Sequence, residues 1–217
     1  MFKNRIPFKK LRLLCAWVGG AALVLSSRIS DDTFRIGVPF LILGEAVRVW
    51  ALGFMEKKGG RLAVAGPYAF VRNPLYWGNL LLGLGVVLTC NAFWAYFVFA
   101  VGFFFIYAGT IKSEEKILTE AFGSAYTEYL AHVPRFWPKL KPWRSSSPDR
   151  FEWRRVWKHH EYITWAGILI LIFGLYLYEE LVIEGEFQTK QDWAFMAILI
   201  CAVALILERI FRRRLRV

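Results

Sequence analysis

The sequence predicts an all-α, polytopic membrane fold of about six transmembrane helices. Three observations point there: the apolar content, the spacing of the apolar runs and the placement of basic residues. Of 217 residues, 57% are hydrophobic and 18% aromatic, and the mean hydropathy is +0.38. That is more apolar surface than a soluble domain of this size can hide.

Crossing a bilayer as helix takes roughly 20 apolar residues. Candidate runs lie near 11–27, 34–54, 75–90, 92–111, 162–181 and 193–211. The basic-then-apolar start resembles a signal peptide, but no small-residue cleavage site follows Ser26 and Ser27, so an uncleaved first span is expected. The third and fourth runs are separated only by Thr89, Cys90 and Asn91. They form a tight hairpin, with Asn91 expected as N-cap of the aromatic helix starting at Ala92. The third run is short, which calls for tilt or shielding by protein.

Lys and Arg crowd the cytoplasmic side of membrane proteins. Here 24 of the 28 basic residues fall on one side: the N-terminal group, Lys57, Lys58, Arg61 and Arg72, the stretch from Lys112 to Lys158, and the C-terminal arginine tail. The other side holds Arg28, Arg35 and Lys190, and Arg48 lies inside the second span. Both termini and the motif-bearing loops are therefore expected to be cytoplasmic.

The net charge of +11 follows from this bias and from attraction to anionic head groups. No nucleic-acid-binding motif accompanies it, and no nucleic-acid partner is expected. Cys15, Cys90 and Cys201 lack CxxC or Cys/His spacing and read as small buried hydrophobes, giving no metal site or disulfide framework. A Lys/Pro/Ser-rich linker from Pro138 to Pro148 divides the chain. A core of about four spans, residues 1–138, carries motifs at 60–78 and 114–134; residues 139–217 form the basic linker and a two-span appendage.

The stretch from Gly60 to Gly78, GRLAVAGPYAFVRNPLYWG, is a polar, turn-forming insert between spans. Gly66-Pro67 and Asn73-Pro74 each impose a turn, because proline fixes its own φ and biases the preceding residue away from helix. Pro74 suits the first turn of the third helix, with Asn73 as its N-cap and free amides beside Arg72. Two readings stay open: an anion-binding corner, or a re-entry loop whose Arg72 meets head-group phosphates and whose tyrosines sit at the interface.

Glu114 and Glu115 follow the aromatic fourth span on a helix expected to run on toward Gly123. Carboxylates at that depth are costly unless paired or solvated. The plain reading is a solvated amphipathic helix with Glu115 and Thr119 on its wet side.

Taken together, GPYxxxRNPxYxG, Glu114-Glu115 with Leu118, Phe122-Gly123, Tyr126, Tyr129 and Val133-Pro134 are similar to the signature of one family. The chain resembles the isoprenylcysteine carboxyl methyltransferase and phospholipid methyltransferase group of integral membrane enzymes over about residues 60–138. The resemblance implies S-adenosyl-L-methionine held at the cytoplasmic face between the loop and the helix ends. It places cofactor contacts on Leu62, Tyr68, Asn73, Pro74, Leu75, Tyr76 and Glu114. A carboxylate suits ribose hydroxyls or a sulfonium, tyrosine hydroxyls and helix-start amides suit a carboxylate, and an aromatic face suits the sulfonium. Arg72 is expected to orient an anionic group and Glu115 to act as base or electrostatic partner.

The sequence departs from the family pattern at Gly60 and Asn73, where histidine is common, and at Thr110, where the prenylcysteine enzymes place a substrate arginine. An amide at position 73 cannot titrate, which excludes a histidine-type proton role there. Lys112 or Arg72 is left to pair with an acceptor carboxylate.

Other features stay open. Gly83-Leu84-Gly85 matches a phospholipid-methyltransferase GxG or serves helix packing. Glu45 and Arg48, on one helical face, form a buried pair or line a lipid entrance. Trp153, Trp157, His159, His160 and Glu161 read as an interfacial belt, since adjacent histidines do not converge on a metal. The expected activity is methyl transfer from S-adenosylmethionine to a lipid or lipidated acceptor, most like isoprenylcysteine carboxyl O-methylation. Phospholipid or other lipid amine N-methylation and a non-catalytic scaffold or lipid-binding relative are the alternatives.

Overall fold

A computed structural model describes residues 18–56, 61–143, 149–184 and seven positions between 196 and 204. Among the described residues every regular element is helical and there is no strand. The helices are α1 (Asp31–Phe54), α2 (Pro74–Cys90), α3 (Phe93–Phe122), α4 (Ser124–His132), α5 (Trp153–Lys158) and α6 (Tyr162–Tyr178), with a 3-10 turn at Gly66–Ala69 and a π segment at Glu179–Glu184. Residues 18–25 are also helical.

Among the described residues three helices are long and apolar enough to cross a membrane: Asp31–Phe54, Phe93–Phe122 and Tyr162–Leu181. The shorter apolar helix Pro74–Cys90 occupies the place of the expected third span. Most of the expected sixth span and the start of the first lie outside the described residues, as do Lys57, Lys58, Gly60 and the arginine tail.

Ser30 starts α1 with a capping box, its side chain accepting from the Thr33 amide while Thr33 Oγ1 accepts from the Ser30 amide, and Asp31 and Asp32 favour the positive end of the dipole. At the other turn Asn91 is not the N-cap expected for the aromatic helix. It sits in the left-handed region at φ 47, donates its amide to the Val87 carbonyl and ends α2, a role asparagine fills because its short polar side chain tolerates that backbone. Ala92 is the N-cap of α3.

Helices α1 and α2 pack at glycine distance. A Cβ at Gly44 would stand 2.8 Å from the Gly78 carbonyl, and one at Gly85 would stand 2.9 Å from the Gly37 carbonyl. This backbone approach is the packing role open to Gly85, while Gly83 lies against Phe99. Phe93, Phe97, Phe104 and Phe105 on α3 stay exposed, as a lipid-facing helix requires. At 30 residues α3 is about 45 Å long, so its last turns reach past a hydrocarbon core of roughly 30 Å. Those turns carry Glu114 and Glu115.

Beyond α3, residues 134–143 fold back over the loop. The Arg72 amide donates to Pro134 O (2.9 Å), Lys139 N to Phe70 O (3.1 Å) and Trp143 N to Ala69 O (2.9 Å). Tyr126, Tyr129, Val133 and Val64 form the small core under this wrap. Residues 149–184 return to α1: Phe151 packs on Phe54, Arg155 donates to the Phe54 carbonyl, and Leu175 joins Ile29 and Cys90 farther along the bundle.

Candidate functional site

The loop and helix ends enclose a cleft of about 410 Å³ lined by Arg48, Met55, Tyr68, Arg72, Asn73, Pro74, Leu75, Tyr76, Asn79, Glu114, Ile117 and Leu118. Its size is that of a small-molecule site. Six of the seven residues expected to hold cofactor line it together, although Glu114 comes from α3 and the others from the loop and the start of α2. Leu62 is the seventh, and it packs instead against the Tyr126–Tyr129 core.

Gly66 takes φ +60 to turn the chain into the 3-10 segment that buries Tyr68. A side chain at that φ is strained, so the turn favours glycine. The Tyr68 hydroxyl meets Met55 Sδ at 3.6 Å, and its backbone carbonyl accepts from the Tyr129 hydroxyl at 2.8 Å. Burial, with the Glu114 charge adding to it, pushes the Tyr68 phenol well above its ordinary value, so it stays a neutral donor.

Asn73 occupies the N-cap position of α2, but its side chain makes no capping bond. It donates from Nδ2 to the Arg135 carbonyl at 2.8 Å, tying the helix start to the wrap. Trp77, on the first turn, donates from Nε1 to the Phe136 carbonyl and stacks on the Phe136 ring. The start of α2 is thus held by side-chain bonds to residues 135 and 136.

Glu115 is buried rather than on the wet side of its helix, because two arginines converge on it. Arg72 Nη1 lies 3.1 Å from Oε1, and Arg135 Nη2 lies 2.6 Å from Oε2 with Nε at 3.1 Å from Oε1. The carboxylate pulls the already basic Arg135 higher. Glu115 is also absent from the cleft lining, so its geometry suits the electrostatic partner and not the base. Arg72 lines the cleft, and its Nε is buried with no hydrogen-bond partner. Glu114, one residue earlier, is exposed to the cleft beside the Tyr76 hydroxyl.

Arg135 and Asn79 went unread in the sequence and Glu161 was read only as part of an interfacial belt, while Arg48, expected in a buried pair or at a lipid entrance, is both paired and part of the cleft lining. Arg48 and Glu45 do pair, at 3.6 Å, but Arg48 is gripped harder by Glu161 at 2.6 Å and also donates to Asn79 Oδ1. Trp165 donates to Glu45 at 2.6 Å. A lone arginine inside a span is itself a signal that a carboxylate must meet it, and Glu161 is the first residue before the fifth apolar run. His159, beside it, lies 3.1 Å from the Met55 carbonyl through Nε2, and among the described residues no three His, Cys, Asp or Glu side chains group to hold a metal.

Residues 35–125 match a family model described as phospholipid methyltransferase. The chain is 36% identical over 122 residues to the cobalt-zinc-cadmium resistance protein CzcN of Cupriavidus metallidurans, covering 55% of each chain. It is 29% identical over 138 residues to the nickel-cobalt-cadmium resistance protein NccN of Alcaligenes xylosoxydans xylosoxydans, covering 62% of this chain and 63% of that one. It is 32% identical over 112 residues to protein-S-isoprenylcysteine O-methyltransferase B of Arabidopsis thaliana, covering 46% of this chain and 56% of that one. The chain therefore spans about half the length of these curated relatives. No solved structure matches. The similarity to the phospholipid methyltransferase model thus runs from the first turns of α1 to the start of α4 and takes in every residue that lines the cleft.

Proposed function

We propose that the protein is a membrane methyltransferase that moves a methyl group from S-adenosyl-L-methionine to a lipid or lipidated acceptor. The observation that carries this reading is the convergence of Tyr68, Arg72, Asn73, Pro74, Leu75, Tyr76 and Glu114 on one cleft. Those residues come from separate elements, and nothing in a simple re-entry loop requires Glu114 to join them.

The donor set fits the cofactor. Arg72 offers a buried, unpartnered Nε to a carboxylate, Glu114 offers an accepting group to ribose hydroxyls or a countercharge to a sulfonium, and the Tyr76 ring offers a π face. When bound, S-adenosylmethionine supplies an electrophilic methyl group for in-line displacement by an acceptor lone pair. The chain's own contribution is to orient the reactants and exclude water. Glu115 holds the Arg72 guanidinium in place, and burial keeps Tyr68 protonated to donate.

The acceptor reading most like isoprenylcysteine is carboxyl O-methylation, which needs no base at neutral pH because the carboxylate is already ionised. An amine acceptor must lose a proton, and Glu114, exposed at the cleft, is the group placed to take it. The basic residues Arg61, Arg72, Lys112 and Lys116 surround the cleft end of the bundle in sequence, which supports a cytoplasmic site open to cytosolic cofactor. Two relatives carry names of divalent-metal resistance, so growth under cobalt, zinc or cadmium belongs among the physiological readouts.

The test is calorimetric binding of S-adenosylmethionine to detergent-purified protein, followed by transfer of labelled methyl to N-acetyl-S-farnesylcysteine and to phosphatidylethanolamine vesicles. Binding abolished by Tyr68→Ala and Glu114→Ala, with base-labile label on the farnesylcysteine, is the expected result. Base-stable label on the vesicles moves the assignment to amine methylation. Absence of any cofactor binding leaves the non-catalytic scaffold.

A further inference from the structure

We propose that Glu161, at the entry to α6, is a positioning residue for the acceptor side of this cleft, acting through Arg48 on Asn79, whose amide N–H binds an anionic oxygen of the acceptor. The proposal rests on the methyltransferase reading and extends it to a part of the chain outside the family match, which ends at residue 125.

The contacts form one directed chain. Arg48 on α1 donates from Nε to Glu161 Oε1 at 2.6 Å and from Nη1 to Asn79 Oδ1. Asn79 on α2 then donates from Nδ2 to the Tyr107 hydroxyl on α3 at 3.2 Å. Arginine has donors only, so its bond to Asn79 identifies Oδ1 as the acceptor and leaves Nδ2 as the donor end. Of the two Nδ2 hydrogens, one goes to Tyr107. The other belongs to a residue that lines the cleft, and it is the amide's remaining donor.

Burial makes the orientation firm. Side-chain exposure is 17% for Arg48 and 5% for Glu161. Water is a poor substitute partner there, and an arginine left without its carboxylate would turn toward Glu45, already within 3.6 Å. That turn would withdraw Nη1 from Asn79 and free the amide to flip, presenting an acceptor where the ligand needs a donor. Trp165, one turn after Glu161, holds Glu45 by a bond of 2.6 Å and so keeps the competing carboxylate in place.

Within the cleft lining, Arg72 is held by Glu115 at 3.1 Å and its free Nε is assigned to the cofactor carboxylate, which leaves the Asn79 amide as a donor for the acceptor oxygen. A carboxylate on a prenylcysteine and the phosphate of a phospholipid share the required chemistry.

The experiment is steady-state transfer by full-length protein to N-acetyl-S-farnesylcysteine and to phosphatidylethanolamine, with Asn79→Asp, Glu161→Gln, the double variant and Leu175→Ala. Asn79→Asp keeps an acceptor for Arg48 but loses the donor, and raises KM for the methylated probe by about tenfold, the loss of a hydrogen bond to a charged group. Glu161→Gln raises it by about fivefold, with kcat and S-adenosylhomocysteine affinity within about twofold of wild type. The double variant equals Asn79→Asp alone, because Glu161 acts through that amide. Leu175→Ala, a buried truncation elsewhere on α6, lowers Tm without moving KM. Which probe responds tells carboxylate from phosphate. Unchanged KM in Glu161→Gln, or additive effects in the double variant, overturns the proposal while cofactor binding keeps the methyltransferase reading. A wild type that binds no S-adenosylhomocysteine removes both.

Discussion

Arg72 Nη1 and Glu115 Oε1 stand 3.1 Å apart, joining the loop before α2 to the last turns of α3. Each side chain is only 12% exposed. A buried pair of this kind contributes little relative to two well-packed apolar groups, but removing one partner strands the other's charge. Glu115→Gln is therefore expected to lower stability by about 3 kcal/mol and to loosen cofactor binding, since Arg72 loses its countercharge. Arg135→Ala has a smaller effect, because that partner is 56% exposed and its share of the attraction is screened. Thermal melts in detergent with and without S-adenosylhomocysteine measure both, and equal losses in the two variants would refute the ordering.

Glu114→Gln separates the roles of the glutamate doublet. Glu114 lines the cleft while Glu115 does not. The variant is expected to leave stability within about 0.5 kcal/mol of wild type, as an exposed substitution does, and to weaken cofactor binding by roughly tenfold through a lost charged hydrogen bond. Calorimetry on the purified variant gives the answer. A stable variant with unchanged affinity would remove Glu114 from the site.

The loop motif and the hairpin were legible in the sequence because Gly-Pro and Asn-Pro punctuate locally and apolar runs set helix length. The capping of the hairpin was not: Asn91 has side-chain chemistry for an N-cap, yet the two-residue connection of Asn91 and Ala92 demands a left-handed residue first, and the backbone requirement won. Glu115 read as solvated because its two partners, Arg72 in the loop before α2 and Arg135 20 residues further along, meet it across turns that no period in the sequence reveals. Glu161 was absorbed into an interfacial belt for the same reason, its partner Arg48 being 113 residues distant. Leu62 illustrates the reverse: a position carried over from the family's motif, which the fold packs against the small core beneath the loop.

Alkaline pH should weaken the fold through its buried phenols. Burial raises Tyr68, Tyr126 and Tyr129 above their ordinary 10.0. Above that pH the unfolded chain releases phenolic protons that the folded one retains, so the stabilisation is complete below it and is lost progressively as pH rises toward the folded values. Each phenol contributes a slope of up to about 1.4 kcal/mol per pH unit. Melts between neutrality and pH 11 should show Tm falling above 10, with the slope reduced in Tyr126→Phe. A flat profile would show that these phenols ionise in the folded state.

Gly44→Ala tests whether the α1–α2 approach sets the cleft. Its Cβ would stand 2.8 Å from both the Gly78 carbonyl and the Leu82 amide, and 3.0 Å from Leu82 Cγ. Backbone atoms cannot yield as a side-chain tip does, so the helices must separate, at an expected loss of about 1–3 kcal/mol. Separation also acts on the site, because Arg48 lies one turn beyond Gly44 and packs over Gly78, where a Cβ would meet its Cδ at 3.3 Å. Moving α1 away from α2 stretches the Arg48–Asn79 bond while leaving Tyr68, Arg72 and Glu114 on their own side of the cleft. Gly44→Ala is accordingly expected to raise acceptor KM more than it weakens S-adenosylhomocysteine binding, measured on the fraction that remains folded. Gly102→Ala is the comparison, since nothing lies within 4 Å of the Cβ it would add on α3. That variant should keep Tm and both constants, and a matching loss in the two would show that the close approach of α1 and α2 is not what positions the acceptor.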